Sequence, residues 1–232
     1  MAKIARMSVE RGRSELREAR LEAAPFAGAI LAANLLLAVV SREAGWELFG
    51  RQDWWLWLLV AAPSAVLVVT FLGGSERNRG TGRREIAIAL LALLGLGNAA
   101  GIGCVVVSLT SWEPTGPQLL VTAATVLVTN AITFALAFWE LDCGGPVSRA
   151  LADRRSSPDF QFPQDENPAL ARPGWAPGLV DYGYVSLTNS VAFSPTDAMP
   201  LSRPAKLLMG VEATVSGVTI LLVAARAINV LG

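Results

Sequence analysis

Five long apolar blocks constrain the fold of this chain more than any other feature of its sequence. They span roughly residues 25–40, 54–72, 86–110, 119–139 and 205–231. A helix needs ~20 apolar residues to cross a bilayer, so the last four blocks are long enough and the first is marginal. Charged residues make up 16% of the chain, below the roughly 25% that is usual in soluble domains. The sequence therefore predicts an all-α, polytopic helical membrane protein with about five transmembrane helices.

Positive charge predicts which connections share a side of the membrane. Arginine and lysine concentrate in residues 1–24, in residues 77–84 and in the long connection 141–203, whereas the other connections carry few. By the positive-inside rule these three segments lie in the cytoplasm. The block boundaries are supported by tryptophans, whose rings prefer the headgroup level: Trp54, Trp55, Trp57, Trp112 and Trp139. We expect a multi-pass protein of the bacterial plasma (inner) membrane.

Composition argues against an enzyme. The chain has no histidine and only two cysteines, Cys104 and Cys143, inside or directly after an apolar block. Histidine-dependent metal sites and Ser-His-Asp triads are excluded, and a disulfide framework is not expected. The 19 basic and 19 acidic residues give a net charge of zero, which provides no overall attraction to nucleic acid. We expect no catalytic activity, no cofactor and no metal. The first partner that the composition predicts is the lipid bilayer.

The chain divides into three regions. A charged N-terminal segment, residues 1–24, is either a helix at the membrane surface or in the cytoplasm, or a frayed tail. Residues 25–117 form a three-helix membrane region. The third region, residues 118–232, has four parts: a helix at 119–140, a loop rich in Pro, Asp, Ser and Asn at 141–178, a half-polar segment at 179–200 and a last helix at 205–231.

The half-polar segment at 179–200 is too short and too polar to span a bilayer. It is also too apolar and too aromatic for an ordinary solvated loop. Non-helical backbone at membrane depth survives only where it is buried in protein or lines a watery cavity. We therefore expect a re-entrant segment, with a short helix to about Val191 followed by an extended strip.

Three stretches of this third region resemble the pore module of the potassium-channel-like, or pore-loop, superfamily. They are Tyr184-Val-Ser186 with Thr188, Asp197-Ala-Met-Pro-Leu-Ser-Arg203, and Leu207-Leu-Met-Gly-Val-Glu212-Ala-Thr-Val-Ser-Gly217. The same half of the chain is similar to a family of uncharacterised bacterial integral membrane proteins. The resemblance implies an outer helix, a pore helix, a filter-like strip and an inner helix that assemble as a homo-oligomer, with a tetramer favoured.

The candidate pathway combines hydroxyls, an amide, an aromatic ring and a carboxylate. Its candidate pore and filter residues are Thr188, Asn189, Ser190, Phe193, Ser194, Pro195, Thr196 and Asp197. Glu212 and Gly217 are the candidates on the inner helix. The glycines that let a potassium filter aim its carbonyl groups are absent from this strip, so we expect weak selectivity. A ring of Asp197 carboxylates would favour inorganic cations over anions.

Structural interpretations of the same residues remain open. Asp197 can cap a turn instead, and Glu212 either faces a partner or water, or pairs at interface depth with Arg203 or Lys206. Polar residues of the fourth block either line a pathway or bond to their own and neighbouring helices: Thr122, Thr125, Thr129, Asn130 and Thr133. The leading function is a subunit of an oligomeric, weakly selective, cation-conducting pore-loop channel. The alternatives are a small-solute transporter and a non-transporting membrane scaffold or partner-binding protein.

Overall fold

The computed structural model describes residues 2–47, 51–72, 81–111, 115–151, 157–173, 175–192 and 197–231. Within this part of the chain the fold is all-helical, as predicted, apart from one small two-stranded sheet. The helices are α1 (Ala2–Glu43), α2 (Leu56–Leu72), α3 (Thr81–Ser111), α4 (Gly116–Leu141), α5 (Pro146–Leu151), α6 (Pro163–Glu166), α7 (Leu179–Ala192) and α8 (Arg203–Leu231). Strands β1 (Phe160–Gln161) and β2 (Met199–Pro200) pair antiparallel.

Four helical segments are long and apolar enough to cross a membrane. They are Arg17–Glu43, Arg84–Gly103, Gly116–Gly144 and Arg203–Ala225, and they make the chain a helical multi-pass membrane protein. The second apolar block forms a shorter helix, α2, of 17 residues. The prediction named the first block as the marginal span, whereas in the structure the shortest of the five long helices is α2. The first block belongs to a helix of 42 residues, whereas α2 begins only after a turn in which Leu56 N–H donates to the Asp53 carbonyl oxygen at 3.0 Å.

The N-terminal segment is helical, not frayed. α1 runs from Ala2 through Pro25 to Glu43 without a break, although Pro25 removes one backbone donor from the helix. Beyond it, Ala27 and Ile30 are fully buried on the helix that packs against α2 and α4. The charged segment and the first apolar block are therefore one continuous helix.

α4 is the central helix and contacts α1, α3, α7 and α8. At its start the Thr115 hydroxyl accepts a hydrogen bond from the Gln118 N–H at 3.4 Å. After a 3-10 turn, the chain leaves α4 through Gly144 and Gly145, whose φ angles are +79° and +101°. The φ angle of Gly145 favours glycine, and a β-carbon there would also lie only 3.3 Å from a Glu140 carboxylate oxygen.

Side-chain contacts show which helix ends lie together. Arg84 Nε at the start of α3 donates to the Glu140 carbonyl oxygen near the end of α4 at 3.2 Å. Glu22 on α1 accepts a hydrogen bond from the first N–H of α7. At the other end of α4, the Gln118 amide donates to the Glu47 carbonyl oxygen at 2.9 Å. The described parts of the arginine-rich segments thus share one end of the bundle, which we call the basic end, as the charge distribution predicts.

The connection between α4 and α7 contains more secondary structure than the loop predicted from its composition. Its described residues form α5, β1, α6 and a 3-10 turn at Pro168–Leu170. Aromatic rings pack the β1–β2 pair against the bundle, with 5.1 Å between the Phe138 and Phe160 centroids and 5.4 Å between those of Phe162 and Tyr182. Elements of two to six residues carry no hydrophobic periodicity, so no sequence pattern indicates them.

Candidate functional site

α7 packs between α4 and α8, and its side chains show how deep it reaches. At the basic end the Tyr182 hydroxyl donates to the Asp142 carboxylate, just beyond the last residue of α4. One turn further, the Ser186 hydroxyl lies 2.6 Å from the Ala131 carbonyl oxygen. Ala131 is ~15 Å along the helix axis from Leu141. The C-terminal half of α7 therefore lies beside the middle of α4.

After α7 the chain comes back to the basic end. Only residues 193–198 separate Ala192 from β2. β2 pairs with β1, and the Phe160 N–H in β1 donates to Asp142 Oδ1 at 3.2 Å. The start of α7 and the strand that follows it are thus both held at the end of α4.

Glu212 lies deep between α7 and α8, and its side chain is fully buried. Its Oε1 contacts the hydroxyl of Ser186 and, at 3.1 Å, the hydroxyl of Ser190. Its Oε2 accepts a hydrogen bond from Asn189 Nδ2 at 2.7 Å. Because positions 186, 189 and 190 share one face of a helix, a single polar face of α7 is joined to α8. Asn189 adds a second link by donating to the Met209 carbonyl oxygen at 2.9 Å.

The two interpretations of Glu212 can now be separated. The buried carboxyl group faces polar partners on α7, in agreement with the first. The second, a pairing with Arg203 or Lys206 at interface depth, is wrong. Those two side chains are exposed near the start of α8, more than one helical turn before Glu212. At Glu212 itself, α7 packs over α8.

The polar side chains of α4 form hydrogen bonds with its own backbone and with neighbouring helices. The hydroxyls of Thr125, Thr129 and Thr133 lie 2.6–2.8 Å from the carbonyl oxygens four residues earlier. Asn130 Nδ2 donates to the Ser216 hydroxyl on α8 at 3.0 Å. These contacts confirm the structural interpretation of these four residues as helix-bonding and helix-bridging groups.

The structure separates the predicted pore residues into distinct groups. Thr188 is half-buried, and its hydroxyl donates back to the Tyr184 carbonyl oxygen at 2.9 Å. Asn189 and Ser190 are buried and directed toward Glu212. Gly217 is half-buried on α8. Four of the predicted filter residues lie outside the described part of the chain: Phe193, Ser194, Pro195 and Thr196.

Asp197 lies at the basic end, where the description of the chain resumes. It lines a crevice of about 200 Å³ with Gln161, Phe162 and Glu166. Partial burial and, secondarily, the Asp181 carboxylate raise the pKa of Asp197 above its ordinary value. Among the described residues its side chain has no hydrogen bond that would cap a turn. A carboxylate in such surroundings favours a bound cation or proton.

The Asp142 hub, which comprises Asp142, Tyr182, Arg149 and the β1 backbone, was not predicted. Asp142 is fully buried; its Oδ1 accepts hydrogen bonds from the Asp159 N–H at 2.7 Å and the Phe160 N–H at 3.2 Å, and its Oδ2 accepts one from the Tyr182 hydroxyl. Arg149 donates to two carbonyl oxygens at the end of α4, at 2.7 Å each. The available signal was an acidic residue directly after an apolar block and before two glycines, which marks a helix end whose backbone groups need partners.

Comparison with known proteins gives no relative: no protein-family model, curated protein or solved structure matches this chain. Within the part of the chain that the structure describes, no group of three or more Cys, Asp or Glu side chains could hold a metal ion. The function therefore has to be argued from α7, its partners and the strip that follows it.

Proposed function

We propose that this chain is a subunit of a homo-oligomeric pore-loop ion channel of the bacterial inner membrane, weakly selective and cation-conducting. In this proposal α4 is the outer helix, α7 the pore helix and α8 the inner helix, as the resemblance to the pore-loop superfamily implies. α7 and residues 193–198 form a re-entrant segment that enters from the basic end. α2 is a short fifth span, ~25 Å long, and it requires local thinning of the bilayer.

One observation carries this proposal: α7 descends between two membrane-spanning helices, while its start and the strand after it lie at the same end. α7 has 14 residues and is thus ~21 Å long. The residues from Ala192 to Met199 can reach at most ~25 Å. That reach allows the chain to return from the middle of the bundle to β2, as a re-entrant segment must.

A return path at membrane depth needs partners for its backbone. Non-helical backbone is tolerated there only against protein or a water-filled cavity. A symmetric oligomer supplies such a cavity by placing one strip from each subunit around an axis. The need to satisfy this backbone therefore supports an oligomeric pore in preference to a lipid-exposed loop.

The residues of the strip suit a weakly selective cation pathway. Ser194 and Thr196 carry hydroxyls that can replace part of an ion's hydration shell, and Phe193 can form a hydrophobic constriction. Asp197 adds a carboxylate at the basic end. In this proposal Asn189 and Ser190 support the pathway instead of lining it, because they attach α7 to Glu212.

The surfaces of α7 and α8 leave room for neighbouring subunits. One face of α7 exposes more than half of each of four apolar side chains: Val180, Tyr184, Leu187 and Val191. In the most apolar stretch of α8, 22% of the residues are buried within the protomer, against 56% in the most apolar stretch of α4. In a tetramer these two helices would pack around the axis, with α8 nearest to it.

Recordings from purified protein in planar bilayers test the pathway. We expect D197N to lower cation conductance or the cation-to-anion permeability ratio, and F193A to raise conductance by widening the constriction. E18Q is the matched control, since Glu18 is exposed on α1 and its loss removes the same charge away from the strip. A protein that conducts with neither D197N nor F193A changing conductance or selectivity would show that this strip is not the filter.

Oligomeric state distinguishes the proposal from its alternatives. We expect a tetramer in native mass spectrometry of the detergent-solubilised protein. Monomers alone would exclude the channel. A transporter that completes its pathway within one protomer, or a scaffold without transport, would then be favoured, and solute uptake into vesicles would decide between these two.

A further inference from the structure

We infer that Glu212 is a proton-binding site, and that it is a neutral carboxylic acid whose proton helps to join α8 to α7 and α4. The inference concerns the protonation of one side chain and holds whether or not the protein conducts ions. It rests on the number of protons that the contacts of Ser186 require.

The Ser186 hydroxyl has two oxygen neighbours. Its Oγ lies 2.6 Å from the Ala131 carbonyl oxygen and also contacts Glu212 Oε1. A serine hydroxyl has one proton to donate, and a backbone carbonyl has none. If the Ser186 proton points to Ala131, the contact with Glu212 needs a second proton, which only the carboxyl group can supply. Without that proton, one of the two pairs of oxygens would be in contact with nothing between them.

The rest of the cluster is compatible with a neutral acid. Glu212 Oε2 accepts a hydrogen bond from Asn189 Nδ2 at 2.7 Å, as the carbonyl oxygen of a carboxylic acid would. The Ser190 hydroxyl at 3.1 Å can donate to the remaining lone pair of Oε1. Each polar atom of the carboxylic acid group then has a partner.

The surroundings provide no compensating positive charge. Among the side chains that the structure describes, most ionisable groups of α8 and of the helices packed against it lie toward helix ends: Glu140 on α4, Asp181 and Tyr182 on α7, Arg84 and Glu85 on α3, and Arg203 and Lys206 on α8. Tyr184 lies on the exposed face of α7. None of these hydrogen-bonds or pairs with Glu212. A fully buried carboxylate without a cation is costly and is relieved by taking up a proton.

Loss of this proton would change the links between the helices. The carboxylate would need the Ser186 proton for itself, so the hydrogen bond from Ser186 to Ala131 would break. A negative charge would also be left between α7 and α8 without a counter-ion. The proton therefore acts as a ligand that holds α7 against α4 and α8.

The E212Q variant tests this inference, because glutamine has nearly the same shape as the neutral acid and differs from it only in the contact with Ser190, where the amide nitrogen can donate but not accept. Its N–H groups can donate to Ser186, and its oxygen can accept from Asn189. We expect E212Q to be as stable as the wild type at neutral pH. Because the native wild type binds one proton more than the unfolded chain, its unfolding equilibrium constant should rise with pH by up to tenfold per pH unit, whereas that of E212Q should not show this increment.

Infrared spectroscopy identifies the proton directly. The wild type should show the carbonyl stretch of a protonated carboxylic acid at neutral pH, and E212Q should lack it. E85Q is the control, since Glu85 is exposed on α3, and it should keep the band. S186A removes the acceptor of the Glu212 proton and should shift the band, so it decides the question even if E212Q does not fold. Absence of the band from the wild type, or a band unchanged in S186A and in any folded E212Q, would overturn the inference, as would an E212Q that is destabilised at every pH.

Discussion

Replacing Asp142 with alanine should strongly destabilise the fold, because this one carboxylate accepts hydrogen bonds from several separate donors. D142A removes the acceptor of the Asp159 N–H, the Phe160 N–H and the Tyr182 hydroxyl. Phe160 and Tyr182 are fully buried, so water cannot replace the lost acceptor there, whereas Asp159 is half-exposed. A buried donor left unpaired costs roughly 1–3 kcal/mol. We therefore expect the free energy of unfolding to fall by about 3–5 kcal/mol.

A double-mutant cycle with Y182F isolates the contact between the two side chains. Y182F alone removes one donor and should cost about 1–2 kcal/mol. In the D142A background the tyrosine hydroxyl has already lost its acceptor, so the same change should cost less. The difference, the coupling free energy, should lie at about 0.5–3 kcal/mol.

Equilibrium unfolding in mixed micelles with increasing SDS, followed by tryptophan fluorescence, measures these changes. E18A is the control, because Glu18 is exposed on α1 and such substitutions usually change stability by no more than about 0.5 kcal/mol. A loss for D142A no larger than that for E18A would refute the reasoning. Strictly additive effects of D142A and Y182F would show that the hydroxyl and the carboxylate do not interact.

Two further predictions concern the aromatic packing and the topology. F160A should cost about 3–5 kcal/mol in the same assay, because its ring is fully buried among other aromatic rings; a loss under about 1 kcal/mol would show that β1 is not anchored there. Single cysteines introduced as N78C and T115C in a cysteine-free background should react from opposite sides of reconstituted vesicles. The reason is that position 78 lies in an arginine-rich segment and position 115 at the opposite end of α4 from the basic end. Labelling of both from the same side would contradict the assignment of the spans.

The long helices follow from the sequence because apolar blocks of this length can be satisfied only as helices in a membrane. Their limits follow less well, since hydropathy marks apolar surface and not the last hydrogen-bonded residue. α1 extends far into the charged N-terminal segment, and α2 starts two residues after Trp54, the first residue of its block. The charge distribution predicted better which helix ends lie together. It placed the start of α3 on the same side as the end of α4, and the hydrogen bond from Arg84 to Glu140 joins these two ends.

The site was predictable only in part. Glu212 was conspicuous as an acid inside an apolar block, but its partners depend on the register of α7. Ser186, Asn189 and Ser190 are spaced by three and four residues and so share a helix face. The prediction treated Thr188 to Asp197 as one strip, although its first residues belong to α7. The helical spacing that relates Ser186, Asn189 and Ser190 was therefore overlooked. The Asp142 hub could not be assembled from the sequence because its backbone donors, Asp159 and Phe160, lie beside and within a strand of two residues, which has no recognisable pattern.

α7 is held at both ends by carboxyl groups from other helices, and the two attachments differ in kind. At its start, Glu22 on α1 and Asp142 after α4 accept hydrogen bonds from the first N–H of the helix and from Tyr182. At its deep end the partner is Glu212, on α8. If Glu212 carries a proton, loss of that proton weakens the attachment to α8 and the link from Ser186 to α4, but leaves the attachments at the basic end unchanged. Within the proposed channel, the helix nearest the axis would then be the one released, while the start of α7 stayed fixed. A proton-dependent link at the inner helix, with separate attachments of α7 at the basic end, would allow a pore to open from within without losing its fold.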